Sequence, residues 1–157
     1  MPTPLRKFTD ELKAQIKLYN KKRIDLKDLI AGYDISNEDL SGSFISHLDM
    51  SDRNISNCNL SRSTVKLILL KGIAQNCNFF KTQFLEGSTS RGADLRYSNL
   101  SGANATHVDL SYAKLEGCSL CDITFTMFSK RTYKASFSKD ILELIKENLI
   151  IEGLNTE

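Results

Sequence analysis

From Ile35 to Phe125 the chain places an apolar residue at every fifth position, with only Gln75 and Ser90 breaking the series. Seventeen of nineteen such positions are apolar, where a chain with 41% hydrophobic residues would give roughly eight by chance. Neither common secondary structure can use that spacing. Five steps along an α-helix rotate a side chain by about 140°, and five along a flat strand flip it to the other face. The chain must turn once per repeat and coil around its own apolar stripe.

The flanking positions support this coil. Asp or Asn often precedes a centre, as at Asp34, Asp39, Asp49, Asn54, Asn59, Asp94, Asn99 and Asp109, and Ser commonly follows it, as at Ser36, Ser41, Ser51, Ser61 and Ser101. Both residue types hydrogen-bond nearby backbone and favour turns over continued helix or strand. Two residues before a centre the side chains are mainly small (Ser43, Cys58, Ser63, Ser98, Ala103, Ala113, Cys118), which suits a crowded interior.

The runs Ala93-Asp94-Leu95-Arg96-Tyr97, Ser98-Asn99-Leu100-Ser101-Gly102 and Ala103-Asn104-Ala105-Thr106-His107 resemble tandem pentapeptide repeats, and the resemblance extends over residues 34 to 128. It implies an all-β solenoid, a right-handed quadrilateral β-helix with four repeats per coil, whose centres and preceding small residues point inward. Nineteen repeats would make about five coils and, with strands about 4.8 Å apart, a rod about 24 Å long.

Two registers compete in the middle. Strict spacing keeps Phe80 and Leu85 inside. A one-residue slip instead reads Cys77-Asn78-Phe79 and Thr82-Gln83-Phe84, restores both flanking signatures and turns Phe80 and Leu85 outward. The slipped reading is preferred, with one residue lost between Leu70 and Phe79 and one regained between Gly87 and Leu95. Gly72, Gly87 and Gly92 can accommodate the irregular backbone.

The ends follow other patterns, so the expected division is a helical cap at 1–23, a repeat body at 24–130 and a second helical cap at 131–157. Thr9 fits an N-cap before Asp10 and Glu11, with Leu12, Ile16 and Tyr19 on one face. Lys13, Lys17, Lys21, Lys22 and Arg23 form a basic edge that reads first as a solvated face. Ile24-Asp25-Leu26 resembles an imperfect first repeat. Ser138 fits the cap of a second helix carrying Ile141, Leu142, Leu144, Ile145, Leu149 and Ile150, which would cover the open end of the solenoid and could pair with a second copy. In the family such C-terminal helical segments often mediate dimerisation.

At 157 residues with 25% charged positions, the chain fits one soluble domain. No apolar run reaches the roughly twenty residues of a membrane helix. The charged N-terminus lacks a signal-peptide profile, so a cytoplasmic location is expected, with specialised secretion left open.

Chemistry-bearing motifs are sparse. Cys58, Cys77 and Cys118 fall in one inward column with Ser98, where small core residues belong, while Cys121 follows a centre and should be exposed. His47 and His107 lie on one face about 14 Å apart, too far to share a metal or a proton. The aspartates are turn residues first, and no nucleophile triad, phosphate loop or Cys-x-x-Cys pair occurs. No enzyme activity, cofactor or metal is expected.

The surface must then carry the function. Some pentapeptide-repeat proteins protect DNA gyrase by resembling duplex DNA, and others are secreted effectors. A DNA mimic needs a strongly acidic rod, whereas this chain has 21 Lys and Arg against 19 Asp and Glu. Direct nucleic-acid binding is not expected either. The residues expected to form an apolar outward patch are Phe44, Leu67, Leu69, Phe80 and Leu85, facing either another protein or a terminal helix of the same chain. The leading expectation is therefore a protein-protein interaction module, with a homodimer as one form of it.

Overall fold

The computed structural model describes residues 4–106, 108–125 and 136–137. Thr9, in extended backbone, accepts a hydrogen bond from the Leu12 N–H at 3.1 Å and starts helix α1 (Asp10–Lys22). Asp10 and Glu11 in the first turn and Lys21 and Lys22 in the last complement the helix dipole. Leu12 and Ile16 are buried against the repeat body, Tyr19 partly so. Lys13 pairs with Glu38 at 2.9 Å and ties the helix to the first turns. The helix ends in a Schellman motif: Arg23 is left-handed (φ 54°) and donates to Asn20 O, and Ile24 donates to Tyr19 O.

Beyond the helix every strand pairing is parallel among the described residues. Strands β1 (Phe44–Asp49), β2 (Thr64–Ile68), β3 (Gln83–Phe84), β4 (Asn104–Ala105) and β6 (Thr124–Phe125) form one sheet in the order β1-β2-β3-β4-β6, while β5 (Lys114–Leu115) pairs with β7 (Ser136–Phe137). Isolated bridges such as Asp39 to Asn59, Asn59 to Asn78 and Asn78 to Asn99 continue the pairing on other faces. Each circuit thus returns the chain beside itself, and the fold is a β-helix solenoid. Its core is a stack of buried centres, including Ile35, Leu40, Ile45, Ile55, Leu60, Val65, Phe79, Leu95, Leu100 and Leu115. Phe79 and Phe84 touch there at 5.7 Å between ring centroids.

The flanking residues act as their chemistry dictates. Asp34, Asp39, Asp49, Asn54, Asn59, Asn99 and Asp109 each accept a hydrogen bond from the backbone N–H two residues on. Two after many centres the backbone is left-handed, as at Asn37, Asn57, Asn76 and Gly102, which turns the corner. Inside, the small residues bridge coils. Ser63 Oγ donates to Leu40 O at 2.9 Å, Thr82 Oγ1 to Leu60 O at 2.6 Å, and Ser98 Oγ to Ala74 O at 2.7 Å.

The slip exists but begins earlier than the sequence suggests. Ile45 pairs with Val65 across twenty residues, whereas Leu48 pairs with Leu67 across nineteen, so β1 and β2 shift register between these pairs. The residue is lost between Val65 and Leu69, which makes Leu69 and Ala74 the inward centres in place of Leu70 and Gln75. It is regained between Phe84 and Ser90: Val65 pairs with Phe84, but Ile68 bridges Thr89. The shift occurs in β2 because Val65, Leu67 and Leu69 alternate as a regular strand and bury every second side chain. Gly72 makes room for it, since a Cβ there would lie 2.4 Å from Leu69 Cδ1 and 3.0 Å from Arg53 O.

Candidate interaction surface

The repeat turns decide which side chains reach solvent. Of the five expected patch residues, Phe44 is 38% exposed, Phe80 and Leu85 are half-buried, and Leu67 and Leu69 are core residues at 1% and 0%. The last two are a correction, and its cause is the early slip: it turns Leu67 and Leu69 inward and puts their neighbours outside. Leu70 (40%) and Ile73 (41%) are the exposed pair, on either side of the Lys71–Gly72 turn. Sequence reasoning missed them because a fixed period made Leu70 a centre. The alternation Val65, Leu67, Leu69 was the available signal.

Leu70 and Ile73 are exceptions in their own columns. Ile73 bridges Asn54 on one side and Asp94 on the other, and Asp94 bridges Lys114. The backbone bonds from Asp52 to Leu70 O, Lys71 to Arg91 O and Gly92 to Ser111 O stack Leu70 on Arg91 and Arg91 on Ser111. The Arg91 guanidinium lies 5.6 Å from the Tyr112 ring centroid, so an aromatic residue and a cation extend this corner. On another corner Phe80 lies between two cations, Lys81 Nζ at 5.1 Å and the Arg62 guanidinium at 6.0 Å from its ring.

The reactive side chains serve the scaffold. Cys58, Cys77 and Cys118 are buried free thiols, and Cys121 is exposed. Cys77 Sγ donates to Ile55 O at 3.2 Å and Cys118 Sγ to Leu95 O at 3.0 Å. Burial pushes the Cys58 thiol well up, Cys77 to about 12 and Cys118 to about 11, so these sulfurs stay protonated. Asp94 receives two hydrogen bonds from the Arg96 guanidinium, at 2.9 and 2.7 Å, which hold its carboxyl at about 2 despite partial burial. His47 is exposed, and His107 lies outside the described residues, as do the six apolar residues of the expected C-terminal helix, Ile141 to Ile150. Among the described residues no group of three His, Cys, Asp or Glu could hold a metal, and no helix is long and apolar enough to cross a membrane.

Residues 91–126 match the family model for pentapeptide repeats as eight copies. No curated protein sequence matches the chain significantly. Similar solved structures include a pentapeptide-repeat protein of the Arabidopsis thaliana thylakoid lumen, at 21% identity over 72% of this chain and 74% of that one, TM-score 0.42. QnrB1, a plasmid-mediated fluoroquinolone resistance protein, is similar at 18% identity over 81% of this chain and 70% of its own, TM-score 0.44. A pentapeptide-repeat protein from Nostoc is similar at 15% identity over 87% and 99%, TM-score 0.40. Residues 91–126 are thus a run of pentapeptide repeats, and the same turn chemistry continues in the coils before them.

Proposed function

We propose that the protein is a non-catalytic protein-binding scaffold. In this reading residues 24–130 form a right-handed quadrilateral β-helix of about five coils between terminal caps at 1–23 and 131–157, in the cytoplasm. The observation that carries it is the exposure of Leu70 and Ile73 where Arg91 and Ser111, or Asn54, Asp94 and Lys114, stand in the same columns. Two large aliphatic side chains on one corner add nothing to the core and fit a partner contact. The exposed Phe44 and the half-buried Phe80 and Leu85 are further apolar side chains outside the core. Ile141, Leu142, Leu144, Ile145, Leu149 and Ile150 supply the pairing surface of a homodimer.

The charge distribution does not favour a DNA mimic, because residues 34–128 carry ten acidic and eight basic side chains. Capture from the native host with wild type and Leu70→Asp/Ile73→Asp tests the scaffold reading. The wild type should retain a partner that the variant loses at an unchanged melting temperature. Equal recovery by both proteins would reject this corner as the contact.

A further inference from the structure

Charge is not spread evenly along this chain. Residues 13–28 hold Lys13, Lys17, Lys21, Lys22, Arg23 and Lys27 against Asp25 and Asp28, so that of 21 basic and 19 acidic side chains in the whole, 15 and 17 remain elsewhere. Asp25 is taken up by backbone: its Oδ1 accepts the N–H groups of Lys27 and Ser46, each at 3.0 Å. Lys13 pairs with Glu38, but Lys17, Lys21, Lys22, Arg23 and Lys27 enter no ion pair among the described residues. Nor does Arg62, which lines a cleft with Arg23 and Phe44. One end of the rod thus carries six unpaired cations.

The same end exposes large apolar side chains. Leu12 and Ile16 bury the inner face of α1, which leaves Leu18, 48% exposed, on the outer face, with Ala14, Gln15, Lys21 and Lys22 as its neighbours three and four residues away. The Schellman motif at the helix end places Ile24 over the final turn, which carries Leu18 and Tyr19, and Ile24 is itself 41% exposed. The exposed Phe44 is tied to the segment that follows: its carbonyl accepts the Leu26 N–H at 2.9 Å.

This combination selects the partner. A nucleic acid satisfies cations, but its bases stack on aromatic side chains and gain little from an aliphatic Leu or Ile. A protein partner suits Leu and Ile, yet Lys, four of the six cations, is depleted in protein interfaces. An anionic bilayer takes both, since its headgroups attract lysines as point charges and its interface accepts aliphatic side chains.

We propose that the α1 end of the solenoid is a peripheral contact for an anionic lipid surface, with Leu18 and Ile24 entering the interface and the six cations at the headgroups. The contact is peripheral because no helix among the described residues can span a bilayer. It does not rest on the Leu70–Ile73 corner, which belongs to a later coil and stays free to bind a protein.

Co-flotation of the full chain with vesicles tests the assignment. Vesicles of neutral phosphatidylcholine and vesicles with about 30% phosphatidylserine are compared at about 0.1 M salt. The protein should partition onto the anionic vesicles at least about tenfold more strongly, and about 0.5 M salt should release most of it. Each cation near an anionic leaflet contributes about fivefold, so Lys21→Gln/Lys22→Gln should weaken binding about 25-fold. Leu18→Gln should weaken it about fivefold at an unchanged melting temperature, since this side chain lies outside the core. Arg53→Gln/Lys114→Gln, which removes the same charge from the coils, should stay within about twofold of wild type. Failure to bind anionic vesicles, undiminished binding by either α1 variant, or an equal loss in the Arg53/Lys114 variant would overturn the proposal. Undiminished binding by Leu18→Gln together with tight binding of a single-stranded oligonucleotide would make this end a general polyanion surface instead.

Discussion

Replacing Ser98 with alanine removes two buried hydrogen bonds at once. Ser98 Oγ donates to Ala74 O at 2.7 Å and accepts the Cys77 N–H at 3.0 Å, linking its own coil to the one before. The net value of a buried bond is about 1 kcal/mol, and leaving the Cys77 N–H stranded adds about 1–3 kcal/mol, so Ser98→Ala should cost roughly 2–4 kcal/mol. For a chain of this size that lowers the melting temperature by about 5–15 °C. Thr82→Val keeps the shape and loses one bond, to Leu60 O, which retains the Ser63 N–H at 3.2 Å; its cost should be about 1 kcal/mol. Ser101→Ala, which breaks only an exposed contact with Ser119, should stay within about 0.5 kcal/mol of wild type. The chain has no Trp, so urea unfolding followed by circular dichroism is the suitable assay. A reversed order, or a Ser98→Ala cost no larger than that of Ser101→Ala, would refute the view that these hydroxyls fasten one coil to the next.

The register makes an independent demand: Leu69→Ala should cost about 2–5 kcal/mol in urea unfolding and Leu70→Ala under about 0.5 kcal/mol, whereas an unslipped chain would give the opposite order. Asp94 titrates at about 2 in the folded protein, below its ordinary 3.8, so the stability it adds is complete above that ordinary value and lost as pH falls toward 2. After discounting for screening at the part-exposed Arg96, about 1 kcal/mol of that acid-limb loss should vanish in Asp94→Asn, and parallel pH profiles of the two proteins would contradict it. A chromogenic disulfide reagent should label Cys121 rapidly in the folded chain and Cys58, Cys77 and Cys118 only on unfolding; fast reaction of a second thiol would show that the column is not closed.

The period of five was legible because it records a geometric requirement: residues that share an interior must return once per turn. The aspartates and asparagines before the centres were legible for a similar reason, since an Asx side chain and the N–H two residues on form a local unit that needs no distant partner. The N-terminal helix was readable from Thr9 and its acidic first turn. Leu67, Leu69 and Leu70 were not assignable by period, because in β2 the strand's own alternation overrides the five-residue count for one turn. The slipped register buries Leu67 and Leu69 where the unslipped one would bury Leu70 with Ile68, and the choice depends on long-range pairing with Leu48 and Asp49 and on the space left by Gly72. The unpaired, buried hydroxyl of Ser43 was still less visible. Ser43 is an ordinary small inward residue in sequence, and only the place of α1 makes its hydroxyl an exception.

That contrast connects fold and function. A solenoid repeats its solutions, so a side chain that is satisfied in one coil is satisfied in the next, and departures concentrate where the repetition begins or changes phase. Ser43 stands at the beginning, where the column has no earlier carbonyl to offer. Leu70 and Ile73 stand at the phase change, where two aliphatic residues that a continuous register would treat differently are left in solvent. If surface features were distributed independently of the repeat, variants at Asp52 or Tyr112 should affect partner capture as strongly as those at Leu70 and Ile73. If the phase change supplies the contact, only the latter pair should abolish it while Leu69 and Phe79 in the core are untouched.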